Sequence, residues 1–530
     1  MKFYEYSYPS RRSVVMSRHA MVASSQPLAV EAAIHVLRNG GNAIDAAVTA
    51  TAMLSVVEPM STGLGGDCFA LMYIAKEHRL FALNGSGRAP SYASADDLIR
   101  QGLTHIPAES PHSVTVPGAL HGLVQCLERF GTITLDQVLA PAIECAESGF
   151  PVSELAAQQW SRAACKLSRH AESARVYLPH GRAPRPGEVF RNPELAHTLR
   201  RIAHHGITAF YQGDIGHAIA ASVQHLGGSL TLNDLQAHRS DWVEPITTCY
   251  RGHDVVELPP NTQGLLALMA LNIVEGFPLT QMGHHSVDYL HSLIEAMKLA
   301  LTDAQTYIAD PDEPLPLSKL ISKSYAQTRR TQIHPTQPLI PATLPPYSGD
   351  TAYVAVVDEQ RNVVSMISSV YKLFGAGITV PGTGLVLQNR GACFTLEPNH
   401  PNRLGPGKRP YHTIIPAMML RKGRPWACFG IVGGMMQAQA HLQVISNLVD
   451  FDMNPQAALD APRFRILESG QLALEKGITA DVQKQLAARG HRLTPNAAEE
   501  GFGGGQLIII SNDVLLGASD PRKDGCAIGY

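Results

Sequence analysis

Thr351 stands at a boundary between two kinds of sequence. Before it, residues 335–350 are dense in proline (Pro335, Pro338, Pro341, Pro345, Pro346) and carry no apolar period. After it, apolar residues begin at once, with Tyr353, Val354, Val356 and Val357 leading to Asp358. A flexible arm meeting a buried strand at a threonine suits a precursor that cuts itself between Asp350 and Thr351 and uses its new first residue as nucleophile. A hydroxyl is a weak nucleophile at neutral pH and needs an adjacent base. A threonine at a chain start brings its own, because a free α-amine titrates near pH ~7.7–8.0, and the Thr–amine pair is a variant of the Ser–His arrangement. The β-branch restricts χ1 and so aims the hydroxyl. Before the cut, the same Oγ can attack the Asp350 carbonyl, pass through an ester and release residues 1–350. Spacing alone favours an ordinary threonine at a strand entry.

The elements that must position this threonine are readable in outline. Residues 351–357 and 363–369 form a hairpin pattern around the polar turn 358–362, which brings Ser368-Ser369 back beside Thr351. Leu28, Val30, Ala33, Val36 and Leu37 recur at helical spacing, and Gly40-Gly41 stops that helix. Asn42 is placed to cap an Ala-rich helix from Ala43 to about Val57, apolar enough to be buried on most sides. Pro59 ends it, and residues 60–67 form a glycine loop, either a tight connection or a backbone wall beside a pocket. That loop meets neither phosphate-binding spacing. Two strands, about 68–75 and 79–84, precede Gly85-Ser86-Gly87-Arg88. Residues 115–310 read as mainly helical, most clearly at 120–130, 139–148 and 287–303. Further on, an apolar stretch 426–432 leads into Gly433-Gly434, then helices at 435–448 and 482–488 and closing strands at 506–511 and 514–518.

Composition bounds the function classes. The chain has 530 residues, 45% hydrophobic and 17% charged, with a net charge of −2. That is a globular composition without the basic footprint of a nucleic-acid or membrane-surface binder. The eight cysteines are scattered without a C-x-x-C pair, so neither a zinc site nor a disulfide framework is signalled. His284-His285 has no third ligand at metal spacing and reads as a helix-entry pair. No cofactor or metal is expected. No apolar run is long enough to span a membrane. Arg11-Arg12 is a twin arginine, but Arg18 and His19 interrupt the apolar stretch that an export signal needs, so a cytoplasmic location with reduced thiols is expected.

The run Thr351-Ala352-Tyr353-Val354-Ala355-Val356-Val357-Asp358 resembles the start of the small subunit of γ-glutamyltransferases, which are N-terminal nucleophile hydrolases. Other segments are similar in the same order: Gly63-Leu64-Gly65-Gly66-Asp67, Phe374-Gly375-Ala376-Gly377-Ile378, Gly407-Lys408-Arg409-Pro410, Gly433-Gly434, Ala461-Pro462-Arg463-Phe464 and Gly517-Ala518-Ser519-Asp520-Pro521-Arg522. The likeness implies an α+β fold, an αββα sandwich built jointly by a large segment, 1–350, and a small one, 351–530. It implies that Ser369 is the second hydroxyl supporting the nucleophile, where the residue pattern alone also allows a strand serine bonded to backbone. It implies that Gly433-Gly434 offers N–H groups to a tetrahedral oxyanion, the alternative being a simple turn. An arginine near Arg88, about two positions off in the alignment, grips the substrate α-carboxylate in the family; the alternative is a loop arginine in an ion pair.

The departures concern the substrate. The family aspartate that binds the glutamyl α-amine is Cys393 here, the neighbouring glutamine is Arg390, the asparagine that holds the α-carboxylate is Tyr371, and the paired serines are His412-Thr413. The segment between Phe394 and Arg409 is also shorter, so the lid found in many relatives is expected to be missing. A pocket that loses a carboxylate and gains a guanidinium disfavours an α-ammonium and favours an anion. This pattern resembles the lid-less branch containing glutaryl-type cephalosporin acylases. The expected activity is a self-processing amidase acting on a γ-glutamyl (glutathione-like) amide, or on the amide of a dicarboxylic acid lacking the amine, with the acyl group passed to water or an amine such as a peptide. The expected partner is its own other cleavage product, with a dimer of such pairs possible. Two rival expectations are an uncleaved, non-catalytic relative that binds acyl peptides, and a metal-dependent amidase.

Overall fold

The computed structural model describes residues 12–340, 349–494 and 501–530. Residues 341–348 of the proline-dense arm, with Pro341, Pro345 and Pro346, and Arg11 of the arginine pair lie outside the described residues.

Two seven-stranded sheets form the centre, and their strand pairs are antiparallel throughout. One runs Cys526–Gly529, Met21–Ser24, Asp350–Val357, Val363–Tyr371, Asp67–Ile74, Arg79–Gly85, Asp241–Val243. The other runs Val15–Ser17, Val514–Ser519, Gly504–Ser511, Arg424–Val432, Ala417–Arg421, His253–Glu257, Ile246–Tyr250. The hairpin that starts at Asp350 therefore sits in the middle of its sheet, held by Met21–Ser24 on one side and Asp67–Ile74 on the other. Both sheets take strands from before and after residue 350.

Period-two alternation builds the layers. Tyr353, Ala355 and Val357 point into the space between the sheets, where they meet Met418, Cys428 and Ile508 of the facing sheet. Ala352, Val354 and Val356 point the other way, against the helices Pro27–Arg38 and Ala43–Val57. In the facing sheet Ala427, Phe429 and Ile431 point outward to the helices Gly264–Val274, Val287–Tyr307 and Met436–Val449. The result is the αββα sandwich. The Ala43–Val57 helix is buried along its whole length, and Asn42 and Asp45 close a capping box at its start.

The helical reading of 115–310 misses five strands: the two-residue pair Phe150–Pro151 and Val189–Phe190, and Asp241–Val243, Ile246–Tyr250 and His253–Glu257 of the central sheets. Ile246-Thr247-Thr248-Cys249-Tyr250 alternates buried and exposed, but five residues of alternation set among helical patterns carry too little signal. The terminal strands Met21–Ser24 and Cys526–Gly529 were also outside the sequence reading, because their pairing joins opposite ends of the chain.

Gly430 lies opposite the Tyr353 ring between the sheets, and a Cβ there would overlap that ring. Gly430→Ala is expected to destabilise the protein by about 1–3 kcal/mol through overpacking, read as a lowered Tm in thermal unfolding. A second expectation concerns pH. Glu58 ends the Ala43–Val57 helix, and burial, opposed by Lys523 and reinforced by Asp350, pushes its carboxyl up to about 7. A raised carboxyl favours the native state below its unfolded value and loses that contribution as pH rises through the folded one. Glu58→Gln is therefore expected to gain stability relative to wild type between pH 5 and pH 8, measured as the difference in Tm at the two pH values.

Candidate active site

The irregularity at the head of the hairpin creates the site. Asp350 pairs with Tyr371 and Ala352 with Ser368, so the register slips across Thr351. This places Thr351 Oγ1 3.5 Å from Ser369 Oγ, with Gln437 Nε2 also at 3.5 Å. Ser369 is otherwise fully engaged. Its hydroxyl donates to the Asp350 carbonyl at 2.8 Å and accepts from the Tyr371 N–H at 2.8 Å and Arg390 Nη2 at 3.4 Å. A hydroxyl has one proton and two lone pairs, so the Thr351 hydroxyl lies beside a saturated neighbour and is only weakly held. Asp350 Oδ1 accepts the Thr351 N–H at 2.9 Å and pairs with Lys523 Nζ at 3.1 Å.

Behind Ser369 lies a buried guanidinium. Arg390, on the short turn Arg390–Cys393, is 0% exposed. Its Nη1 donates to Thr413 Oγ1 at 2.9 Å and lies 4.0 Å from Cys393 Sγ, and its Cζ lies 4.3 Å from the Tyr371 ring centroid. Its Nε has no partner, and among the described residues no carboxylate forms an ion pair with it. Burial pushes the Cys393 thiol up, so it stays neutral. Tyr371 is held at φ +78°, in the left-handed region, which turns its ring across the guanidinium.

His412 and Thr413, paired in the sequence reading, separate in space. Thr413 holds Arg390, while His412 Nε2 donates to Asp67 Oδ2 at 3.0 Å. Burial, with Arg390 beside it, lowers His412 to about 3, so the ring is neutral. Burial acts to raise Asp67, but the His412 hydrogen bond and the nearby Arg390 outweigh it and hold the carboxylate below its ordinary range. Asp67 also accepts from Gln388 Nε2 at 2.9 Å and the Gly87 N–H at 2.8 Å. It ties together the glycine loop, the Gly85–Gly87 turn and the segment before Arg390. The sequence reading placed Asp67 only at the end of that loop; the available signal was a carboxylate directly after Gly65-Gly66 at the head of an apolar strand.

Gly433 and Gly434 have φ of +122° and +61°, at the junction of the Arg424–Val432 strand and the Met436–Val449 helix. Their carbonyls accept from Met436 and Gln437, and among the described residues neither N–H has an acceptor. Gly433 lines a cleft of about 660 Å³ that also reaches Gly349, Asp350 and Lys372. Arg88 sits elsewhere: it pairs with Asp241 at 3.6 Å and Asp310 at 3.7 Å and donates to the Gly407 carbonyl. The structure thus gives Arg88 the loop ion pair, and Arg390 is the guanidinium joined to Ser369.

Among the described residues one group has metal-like spacing, His291, Glu295 and His491. Lys298 Nζ already neutralises Glu295 at 2.7 Å, and His291 and His491 bond each other at 2.8 Å, so these atoms are satisfied without an ion. His284 bonds Asn447 at 2.8 Å. No helix of the described residues is long and apolar enough to cross a membrane.

Comparison with known proteins identifies the family and the fold. The family model described as Gamma-glutamyltranspeptidase matches residues 29–530. The glutathione hydrolase-like YwrD proenzyme of Bacillus subtilis (strain 168) is 38% identical, over 97% of this chain and 99% of its own. The acylase ACY 1 proenzyme of Pseudomonas sp. (strain SE83) is 35% identical, over 96% and 93%. The crystal structure of cephalosporin acylase from Bacillus halodurans superposes with a TM-score of 0.93 at 42% identity, covering 100% of this chain and 99% of that one. On the family match over most of the chain, the relatives along its whole length and the shared fold, this protein belongs to the gamma-glutamyltranspeptidase family of N-terminal nucleophile hydrolases.

Proposed function

We propose that the protein is a self-processing amidase whose acyl substrate carries a distal carboxylate and lacks an α-ammonium, as a glutaryl amide does. In the first step Thr351 Oγ attacks the Asp350 carbonyl carbon, and the Ser369 hydroxyl, already on that carbonyl oxygen at 2.8 Å, stabilises the developing charge. The peptide bond gives way to an ester, and water cleaves it to release residues 1–350. The Thr351 nitrogen is then an amine that can take the hydroxyl proton. In turnover, Oγ attacks the substrate carbonyl, the amine passes the proton to the leaving nitrogen, and the Gly433 and Gly434 N–H groups receive the oxyanion. Water or an acceptor amine resolves the acyl-enzyme. The two segments, 1–350 and 351–530, remain together because each supplies strands to both sheets.

The observation that carries the substrate class is Arg390: a fully buried cation with no carboxylate ion pair among the described residues, joined through Ser369 to Thr351. Burying an unpaired charge is costly, and a bound carboxylate would remove that cost. The α-ammonium of a glutamyl group finds no free acid here, because Cys393 is neutral and Asp67 is taken by His412. Glutathione hydrolase proenzymes are among the relatives, at 31–32% identity, and a γ-glutamyl amide is the competing substrate.

Two expectations follow from the chemistry. Thr351→Ala is expected to run as one band near 57.1 kDa on denaturing gels and to hydrolyse no amide, while wild type yields a small fragment whose N-terminal sequencing starts at Thr351. An Ala variant that still splits would sink the reading. For the substrate, wild type is expected to prefer glutaryl over γ-glutamyl and butyryl anilides. Arg390→Gln is expected to cut the glutaryl-to-butyryl ratio of kcat/KM about 10- to 100-fold, the loss of one charge-assisted interaction of about 1.5–3 kcal/mol. A wild-type preference for γ-glutamyl anilide, or a ratio untouched by the variant, overturns it.

A further inference from the structure

The peptide bond before Thr351 is gripped at both of its polar atoms. Ser369 Oγ donates to the Asp350 carbonyl at 2.8 Å, and the Thr351 N–H donates to Oδ1 of the Asp350 side chain at 2.9 Å. A carboxylate folded back onto the next residue's N–H needs a fixed anchor, because its side chain has several staggered rotamers to choose from. Lys523 Nζ is that anchor: it donates to the same Oδ1 at 3.1 Å. The two side chains are only 12% and 10% exposed, so salt and water screen this pair far less than a surface ion pair.

Lys523 is itself held from both sides. Before it, Arg522 pairs with Glu475 at 2.6 Å and Asp520 at 3.0 Å. After it, Asp524 accepts from Ser153 Oγ at 2.8 Å and the Ala156 N–H at 3.2 Å, at the head of the helix Glu154–Leu167. Between them the lysine stem lies across Gly504, where a Cβ would overlap Lys523 Cγ. Burial acts to lower the ammonium, but Asp350, Glu58 and Asp524 outweigh it and raise it, so Lys523 stays charged. Glu58 is the competing acid, with its Oε2 buried and unpartnered among the described residues.

We propose that Lys523 is a positioning residue for self-cleavage: it pins the Asp350 carboxylate against the Thr351 nitrogen, where that carboxylate stabilises the positive charge that develops as the nitrogen leaves. In the step, Thr351 Oγ bonds to the Asp350 carbonyl carbon, the C–N bond breaks, and the hydroxyl proton ends on the Thr351 nitrogen. As the nitrogen loses its conjugation with the carbonyl it becomes basic, and Oδ1 already faces it. Ser369 then meets the negative end of the breaking peptide bond and Asp350 the positive end. The inference rests on the reading of Thr351 as the nucleophile and adds to it the two side chains that hold the bond to be cut.

The test follows the full-chain precursor, made by cell-free synthesis, as it converts into two bands on denaturing gels, with N-terminal sequencing to identify the cut before Thr351. Lys523→Gln is expected to slow the cut at least about tenfold, the loss of one charge-assisted contact, and Lys523→Arg to restore most of the rate. Asp350→Asn is expected to slow it similarly. In that background Lys523→Gln is expected to add less than about twofold, because a residue acting through the Asp350 carboxylate has nothing left to hold. A lysine that only braced its loop would slow both backgrounds alike. Cleavage of Lys523→Gln at the wild-type rate, or a slowing carried over in full to the Asp350→Asn background, overturns the proposal. If Lys523→Gln lacks a cooperative melting transition, Asp350→Asn decides: a slowed cut there supports the proposal and a wild-type rate overturns it. Thr351→Ala separates the two readings. If it stays whole while Lys523→Gln cuts at the wild-type rate, only the Lys523 role falls; if it still splits, the Thr351 reading falls and this inference with it.

Discussion

The site depends on one hydroxyl. Ser369 Oγ gives its proton to the carbonyl of Asp350 and receives the Tyr371 N–H and Arg390 Nη2. These three contacts join the peptide bond before Thr351, the backbone at the far end of the hairpin and the buried guanidinium. Because Ser369 has no capacity left, the Thr351 hydroxyl beside it is not held by a strong hydrogen bond. The nucleophile candidate is thus positioned by the strand and its β-branch, which leaves the oxygen available to react.

Arg390 imposes a second constraint, energetic where the first is geometric. A guanidinium removed from water needs compensation. The Thr413 hydroxyl, the face of the Tyr371 ring and Ser369 supply part of it. Asp67, the carboxylate whose charge reaches Arg390, is spent on His412, Gln388 and Gly87, which fix the loops around the pocket. The surroundings of Arg390 are thus tied to one another, and among the described residues no carboxylate forms an ion pair with it. The same division appears at Gly433 and Gly434, where positive φ directs two N–H groups away from protein acceptors. Among the described residues polar capacity is left open at both places, the Arg390 Nε and the two glycine N–H groups.

Much of this was legible in the residues. The hairpin from 351, the Asn42 cap, the glycine pair after the 426–432 strand and the closing strands all announce themselves by local pattern. The failures share a cause. His253–Glu257 is a short strand that joins its sheet through Ala417–Arg421, far along the chain, with Ile246–Tyr250 added outside it as the edge strand, and Met21–Ser24 pairs with the chain's other end. Arg88 and Arg390 look alike as sequence, a basic residue beside glycine; Asp241 and Asp310 pair with the first, and among the described residues no carboxylate forms an ion pair with the second. His412 and Thr413 are neighbours that diverge because successive side chains of an extended segment point in opposite directions.

By itself the amino-acid sequence determined most element types, the alternation that makes a two-sheet sandwich and the family to which the chain belongs. These are properties of local period and of residue type in order. Only the tertiary structure decided which arginine meets Ser369 and that Asp67 is a structural hub. Those outcomes depend on which distant groups neutralise one another, and charge pairing in a folded chain is settled by distance in space.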